Sequence, residues 1–161
     1  MLPYTLEQST LIIKPKQANY LVLAVLIVLC FLCLALPIMG FVLTIIEGDS
    51  PHFGGIILLG LMALISFYLL RLILWNSCGK EIFVFEKNSI QYTADYNWFK
   101  DKVKTISVKG DIQFAAKEAG FKEDKTGVLL IISEEEELES VVKMPIDLLQ
   151  QLVLKLPPKK P

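Results

Sequence analysis

The chain has 161 residues with 16 Lys and Arg against 17 Asp and Glu, so it is close to neutral and lacks the basic field that a nucleic-acid partner requires. Its composition is 53% hydrophobic with a mean hydropathy of +0.52, which points to an integral membrane protein rather than a soluble one. Three cysteines, Cys30, Cys33 and Cys78, are too few and too poorly placed for a disulfide framework.

Residues 4–13, YTLEQSTLII, mix β-branched and polar side chains ahead of Lys14-Pro15. This reads as a short strand or interfacial segment, with a helix starting near Gln17 because Pro15 disfavours a helix through it. Residues 1–19 form the N-terminal segment of the predicted organisation.

Residues 20–46 then run without a charge, and residues 53–75 carry only Arg71. A bilayer core about 30 Å thick needs roughly 20 helical residues, so both runs are long enough to span it. The predicted unit is a helical hairpin over 20–76, with spans 20–46 and 54–76. The first run is longer than the apolar core of a signal peptide and follows 19 mixed residues, so a retained span is expected. Pro37 and Gly40 predict a kink near 33–37, read as a static bend ahead of the alternative, a hinge or cavity. Gly55, Gly60 and Ala63 offer a weak small-residue signal for close helix packing.

Orientation follows from basic residues beside the spans. Lys14 and Lys16 precede the first, and Arg71 and Lys80 accompany the end of the second. The connecting EGDSPHF carries Glu47 and Asp49 but no Lys or Arg. Both termini are therefore expected in the cytoplasm. Arg71, about one turn from the span's end, can snorkel to the interface, where Tyr20 and Trp75 serve as aromatic anchors.

After Lys80 the pattern turns extended. EIFVFE (81–86), a turn at Asn88-Ser89 and IQYTADY (90–96) make a hairpin. WFKDKVKTISV (98–108) alternates, with Trp98, Lys100, Lys102 and Lys104 on one side. DIQFA (111–115) is a further short strand, 116–126 a charged loop and VLLIIS (128–133) the most apolar strand. The run Glu134 to Glu137 is a solvated turn, with LESVVKM (138–144) as its hairpin partner. From Pro145, Ile146, Leu149, Leu152, Val153 and Leu156 recur at helical spacing, giving an amphipathic helix over 145–156 that stops at Pro157-Pro158. The soluble domain is thus 77–157, with 158–161 a disordered tail.

The junction RLILWNSCGKEIFVFEKNSIQY, with Trp75, Gly79 and Glu81 in a W-x-x-x-G-x-E segment, resembles bacterial membrane-anchored pleckstrin-homology-like (PH-like) proteins. The later stretches Val103–Ile106 and 127–132 are similar to that group as well. The two-span photosystem I assembly factor has a similar plan. The resemblance, over residues 18–156, implies a membrane helical hairpin plus a small α+β PH-like domain, an antiparallel bent sheet or barrel capped by a C-terminal helix. It carries no catalytic residues.

Candidate sites are few. Cys30 and Cys33 lie on adjacent turns of one face and read as small apolar fillers, since thiolates are disfavoured in a bilayer. His52, the single histidine, sits beside Glu47 and Asp49, a set too sparse for a metal centre. Lys100, Lys102 and Lys104, with Lys109 nearby, form a basic row suited to anionic headgroups or to protecting an edge strand from aggregation. No phosphate loop, nucleophile elbow or dinucleotide fingerprint occurs. The expected function is non-enzymatic: no cofactor and no metal, and a domain held at the inner (plasma) membrane of a bacterial cell for protein or lipid binding, as a scaffold or in assembly. The alternative is an immunity protein that neutralises a membrane-targeting toxin. A transporter subunit fits less well, because only Thr44, Ser66 and Arg71 are polar within the spans.

Overall fold

The computed structural model describes residues 3–48, 52–108, 110–120, 122–133 and 136–156. The chain forms two compact units. One is Gln17–Cys78; the other joins Met1–Lys16 to Gly79–Pro161.

The first unit is two helices, α1 (Tyr20–Ile46) and α2 (Phe53–Cys78). Asn19 caps α1 by accepting from the Leu21 amide at 3.2 Å. The helix continues through Pro37, and none of its residues is buried. A helix apolar all round with no protein covering it suits hydrocarbon rather than water. Both helices are long and apolar enough to cross a membrane. They meet at a polar clamp: Ser66 Oγ donates to the Cys30 carbonyl at 3.1 Å and lies 3.2 Å from Cys30 Sγ. Ser66 is buried, so Cys30 is a clamp partner as well as a filler. The glycines play no such part: a Cβ on Gly55 or Gly60 would meet nothing within 4 Å. α2 also outlasts the expected span. Arg71 sits seven residues before its last residue, about two turns in rather than one.

The second unit begins with a correction. Residues 4–13, expected as one short strand or an interfacial segment, form two strands, a hairpin of β1 (Tyr4–Glu7) and β2 (Thr10–Ile13). β2 pairs antiparallel with β3 (Lys80–Phe85), Ile13 opposite Glu81 and Leu11 opposite Phe83. The N-terminal segment therefore belongs to the same unit as the residues after the helices. β4 (Ser89–Asp95) and β5 (Lys100–Ser107) complete a five-stranded antiparallel sheet in the order β1-β2-β3-β4-β5. The 3.6-to-2 change of period after the helices sets this up: Glu81 and Phe83 point to the core, while Lys80 and Ile82 are half-exposed.

The second sheet holds β6 (Gln113–Glu118), β7 (Thr126–Ile132), β8 (Glu137–Glu139) and a two-residue β9 (Met144–Pro145). β7 is central; β6 lies on one side, and β8 and β9 share the other. β6 runs into the stretch expected as a charged loop, because Ala115 to Glu118 pair with β7. The expected 138–144 partner strand divides in two at Ser140–Lys143.

α3 (Ile146–Lys155) packs on β6 and β7, burying Leu149 and Leu152, with Leu156 buried just beyond its end. Gly127 allows this approach: a Cβ there would lie 2.7 Å from the Lys117 carbonyl and from Ile146 Cδ1. Leu11, Ile13, Phe83, Ile90, Ile106, Leu129 and Ile131 from both sheets fill the core with the α3 leucines. The predicted hairpin-plus-sheet organisation is present, with two antiparallel sheets and a C-terminal helix.

Candidate functional site at the seam of the two sheets

Glu81 occupies a core-facing position of β3 and is fully buried. A carboxylate removed from water must find donors. Oε1 accepts from the Tyr92 hydroxyl at 2.7 Å and from the Val141 amide at 2.7 Å, and Oε2 accepts from the Val142 amide at 3.2 Å. Tyr92 is on β4, in the same sheet. Val141 and Val142 lie between β8 and β9, so Glu81 ties one sheet to the other.

Local structure explains why these amides are available. Ser140 closes on β7 twice: its amide donates to the Leu129 carbonyl at 2.9 Å, and its hydroxyl accepts from the Leu129 amide at 2.8 Å. The chain then leaves β7 until Met144 rejoins it opposite Gly127. In that gap Val141 and Val142 have no strand partner, and the Glu81 carboxylate accepts a hydrogen bond from each of their amides.

Burial pushes the Glu81 carboxyl above its usual range, against the opposing pull of Tyr92, the two amides and the Lys102 charge. Tyr92 is driven well above an ordinary phenol, by burial first and then by the adjacent Glu81 charge.

Outside this tie the two sheets leave a cleft of about 370 Å³ between β5 and β8. Tyr92, Val103, Leu138 and Val141 supply its apolar lining; Lys102 and Lys104 stand on one side, Glu137 and Glu139 on the other. Lys104 Nζ donates to the Glu137 carbonyl at 2.9 Å, and Lys117 pairs with Glu139 at 2.8 Å. That pair raises the exposed Lys117 ammonium above its usual range, the hydrogen bond to Glu139 being the main cause. Both oxygens of Glu81 are engaged by its three donors.

The expected lysine row is only partly realised. Lys100, Lys102 and Lys104 are exposed on β5, but the register slips between Tyr92 and Ala94, and Lys102 adopts φ +50°. This bulge breaks the single alternating face, since two residues of β5 now stand opposite one of β4. Lys104 is drawn to the seam. Trp98 lies in the turn before β5 rather than on the strand. Lys109 falls outside the described residues, as do Asp49, Glu134, Glu135 and the 157–161 tail. Tyr20 is the exposed first residue of α1, and Arg71 and Trp75 are half-buried on α2.

Within the helical unit a second, wholly different space opens: a groove of about 710 Å³ lined by Cys33, Pro37, Gly40, Thr44, Gly55 and larger apolar residues, with His52 beside it. Pro37 and Gly40 thus border a cavity, the alternative to a static bend. Among the described residues no three His, Cys, Asp or Glu side chains stand together as metal ligands.

Sequence reasoning missed the role of Glu81. A partial signal was available: in EIFVFE the glutamate shares a phase with Phe83 and Phe85, although Ile82 and Val84 make the other phase apolar too. Its donors were not legible, because they come from a break in a strand 60 residues away. Comparison with protein-family models, curated proteins and solved structures finds no match for this chain.

Proposed function

We propose that the chain is a non-enzymatic integral membrane protein whose two-sheet unit, a PH-like domain with an added N-terminal hairpin, binds a protein partner at the cytoplasmic membrane face. One observation carries this reading. The segment before the helices and the segment after them fold into one sheet through the β2–β3 pairing. The domain is therefore fastened to the spans at two points. A double tether restricts orientation as well as position, and confinement raises the effective concentration of a weak partner without new chemistry. Lys14, Lys16 and Lys80 beside the spans support the cytoplasmic side. The two sheets closed by α3 support the PH-like reading.

The seam between β5 and β8 is the contact surface in this proposal. Its apolar floor is flanked by opposite charges, a pattern suited to orienting a partner side chain. The β5 strand edge is a poorer candidate, because three lysines and a bulge are the devices that keep edge strands from pairing.

Purification of the full chain in a mild detergent tests the proposal. A co-eluting protein retained by the wild type and lost from Val103→Glu, a change at an exposed lining position, is the expected result. A monodisperse monomer without a partner under all conditions overturns it.

A further inference from the structure

The register of the five-stranded sheet gathers an unusual set of residues at one end. β2 finishes there at Ile13, on the way to α1. β3 begins there at Lys80, two residues after α2 ends. Ile13 stands opposite Glu81, and Lys80 opposite Asp95. Asp95 in turn stands opposite Lys100, so the β4–β5 turn, Tyr96–Phe99, projects from this same end.

That turn is rigid. The Tyr96 amide donates to the Phe99 carbonyl at 3.0 Å. The Asn97 amide donates to Asp95 Oδ1 at 2.8 Å, and Asn97 adopts φ +71°. The Tyr96 and Phe99 rings stack with centroids 4.7 Å apart and planes 13° apart. Yet the residue this frame holds at its apex, Trp98, is 74% exposed. A locked turn that presents a bare indole to its surroundings is poorly explained by packing within the domain.

The charges at this end are mostly positive. Lys14, Lys16, Lys100 and Lys102 are exposed, and Lys80 is half-exposed. Their acidic neighbours are Glu81, which is buried and spent on its three donors; Asp95, which pairs with Lys80 at 3.5 Å; and Asp101, which accepts from the Lys102 amide. Indole and ammonium groups together match the headgroup layer of a bilayer: the ring prefers the polar–apolar boundary and the lysines attract anionic lipid.

We infer that the β4–β5 turn docks on an anionic phospholipid surface, with Trp98 seated at headgroup depth and Lys100 and Lys102 on the surrounding phosphates. This rests on the proposal that α1 and α2 span the membrane, but not on any protein partner. The chain leaves the sheet for α1 and re-enters it from α2 at this end, and in this proposal the turn adds a lipid contact there.

The chain has two tryptophans, so each can be isolated. Trp75→Phe leaves Trp98 as the reporter, and Trp98→Phe leaves Trp75. The full-length variants are placed in vesicles of phosphatidylcholine alone or mixed with phosphatidylglycerol, with nitroxide carried on the headgroup or deep in the acyl chain. For Trp98 the expected result is blue-shifted emission, strong quenching by the headgroup nitroxide, weak quenching by the deep one and protection from acrylamide, all greater with phosphatidylglycerol. The inference is overturned if acrylamide reaches Trp98 equally in both vesicles and neither nitroxide quenches it, while Trp75 is still quenched by lipid. If Trp75 also escapes lipid quenching, the membrane reading falls and the docking with it.

Discussion

Tyr92 donates its hydroxyl proton to Glu81 at 2.7 Å, although the two are not opposite each other in the β3–β4 ladder. Tyr92 faces Phe83, and Glu81 faces Ala94. The phenol leans along the diagonal, over the Phe83 ring at 5.1 Å, to reach the carboxylate. Removing it leaves Glu81 with two backbone donors only. Tyr92→Phe should destabilise the domain by about 1.5–3 kcal/mol, the range for hydrogen bonds to charged groups. Glu81→Leu should cost more, because it removes the acceptor of Tyr92 and of both amides and strands the buried Val142 amide. Denaturant unfolding of the detergent-solubilised protein measures both.

The raised Glu81 carboxyl has a pH signature. Its value in the folded domain lies above that in the unfolded chain, chiefly because burial disfavours the charge. The folded state then binds the proton more tightly. The contribution is fully present below the ordinary glutamate value, declines as pH rises through the raised value, and is flat above it. Melting temperature followed from acid to neutral pH should show this decline in the wild type. Glu81→Gln should lack it.

Deletion of residues 1–13 should unfold the second unit. It removes the strand against β3 and uncovers Phe83, which lies opposite Leu11. Leu11 and Ile13 are themselves fully buried. Loss of two such side chains amounts to about 3–6 kcal/mol at 1.5–3 each, a large share of a small domain's stability. Rapid proteolysis of residues 79–156 in the truncated protein, with α1 and α2 left intact, is the expected outcome.

Gly127→Ala tests the seat of α3. The added methyl would press on the Lys117 carbonyl, which belongs to the paired β6 strand and cannot swing away. Overpacking of this kind costs about 1–3 kcal/mol. A lowered denaturation midpoint with an unchanged slope is expected.

Ser66→Ala removes the hydroxyl that holds α2 to the Cys30 carbonyl. Interhelical hydrogen bonds in membranes average about 0.6 kcal/mol, with model peptides at about 1–2. The helix pair should therefore loosen modestly without coming apart, as a small fall in its unfolding midpoint in detergent would report.

Much of the fold was legible because it rests on local periodicity. α1 was bounded at Tyr20 and Ile46, and β3, β4 and α3 fell within a residue or two of their predicted ends. What escaped was non-local. Nothing in YTLEQSTLII reveals that its partner is β3, because 66 residues and two apolar helices intervene between Ile13 and Lys80. The β5 bulge was hidden too, since KDKVKTIS alternates in sequence while the ladder slips at Tyr92/Ala94. At the seam the lysines were visible, but Glu81, the group that fixes the seam, showed only as an acidic residue in an apolar phase.

The β2–β3 pairing also imposes an order on biosynthesis. The first hairpin leaves the ribosome with Leu11 and Ile13 unpartnered and must wait until both apolar helices are made. Completion of the sheet therefore comes late in synthesis, and Leu11, Ile13 and Phe83 stay uncovered until β3 has been made.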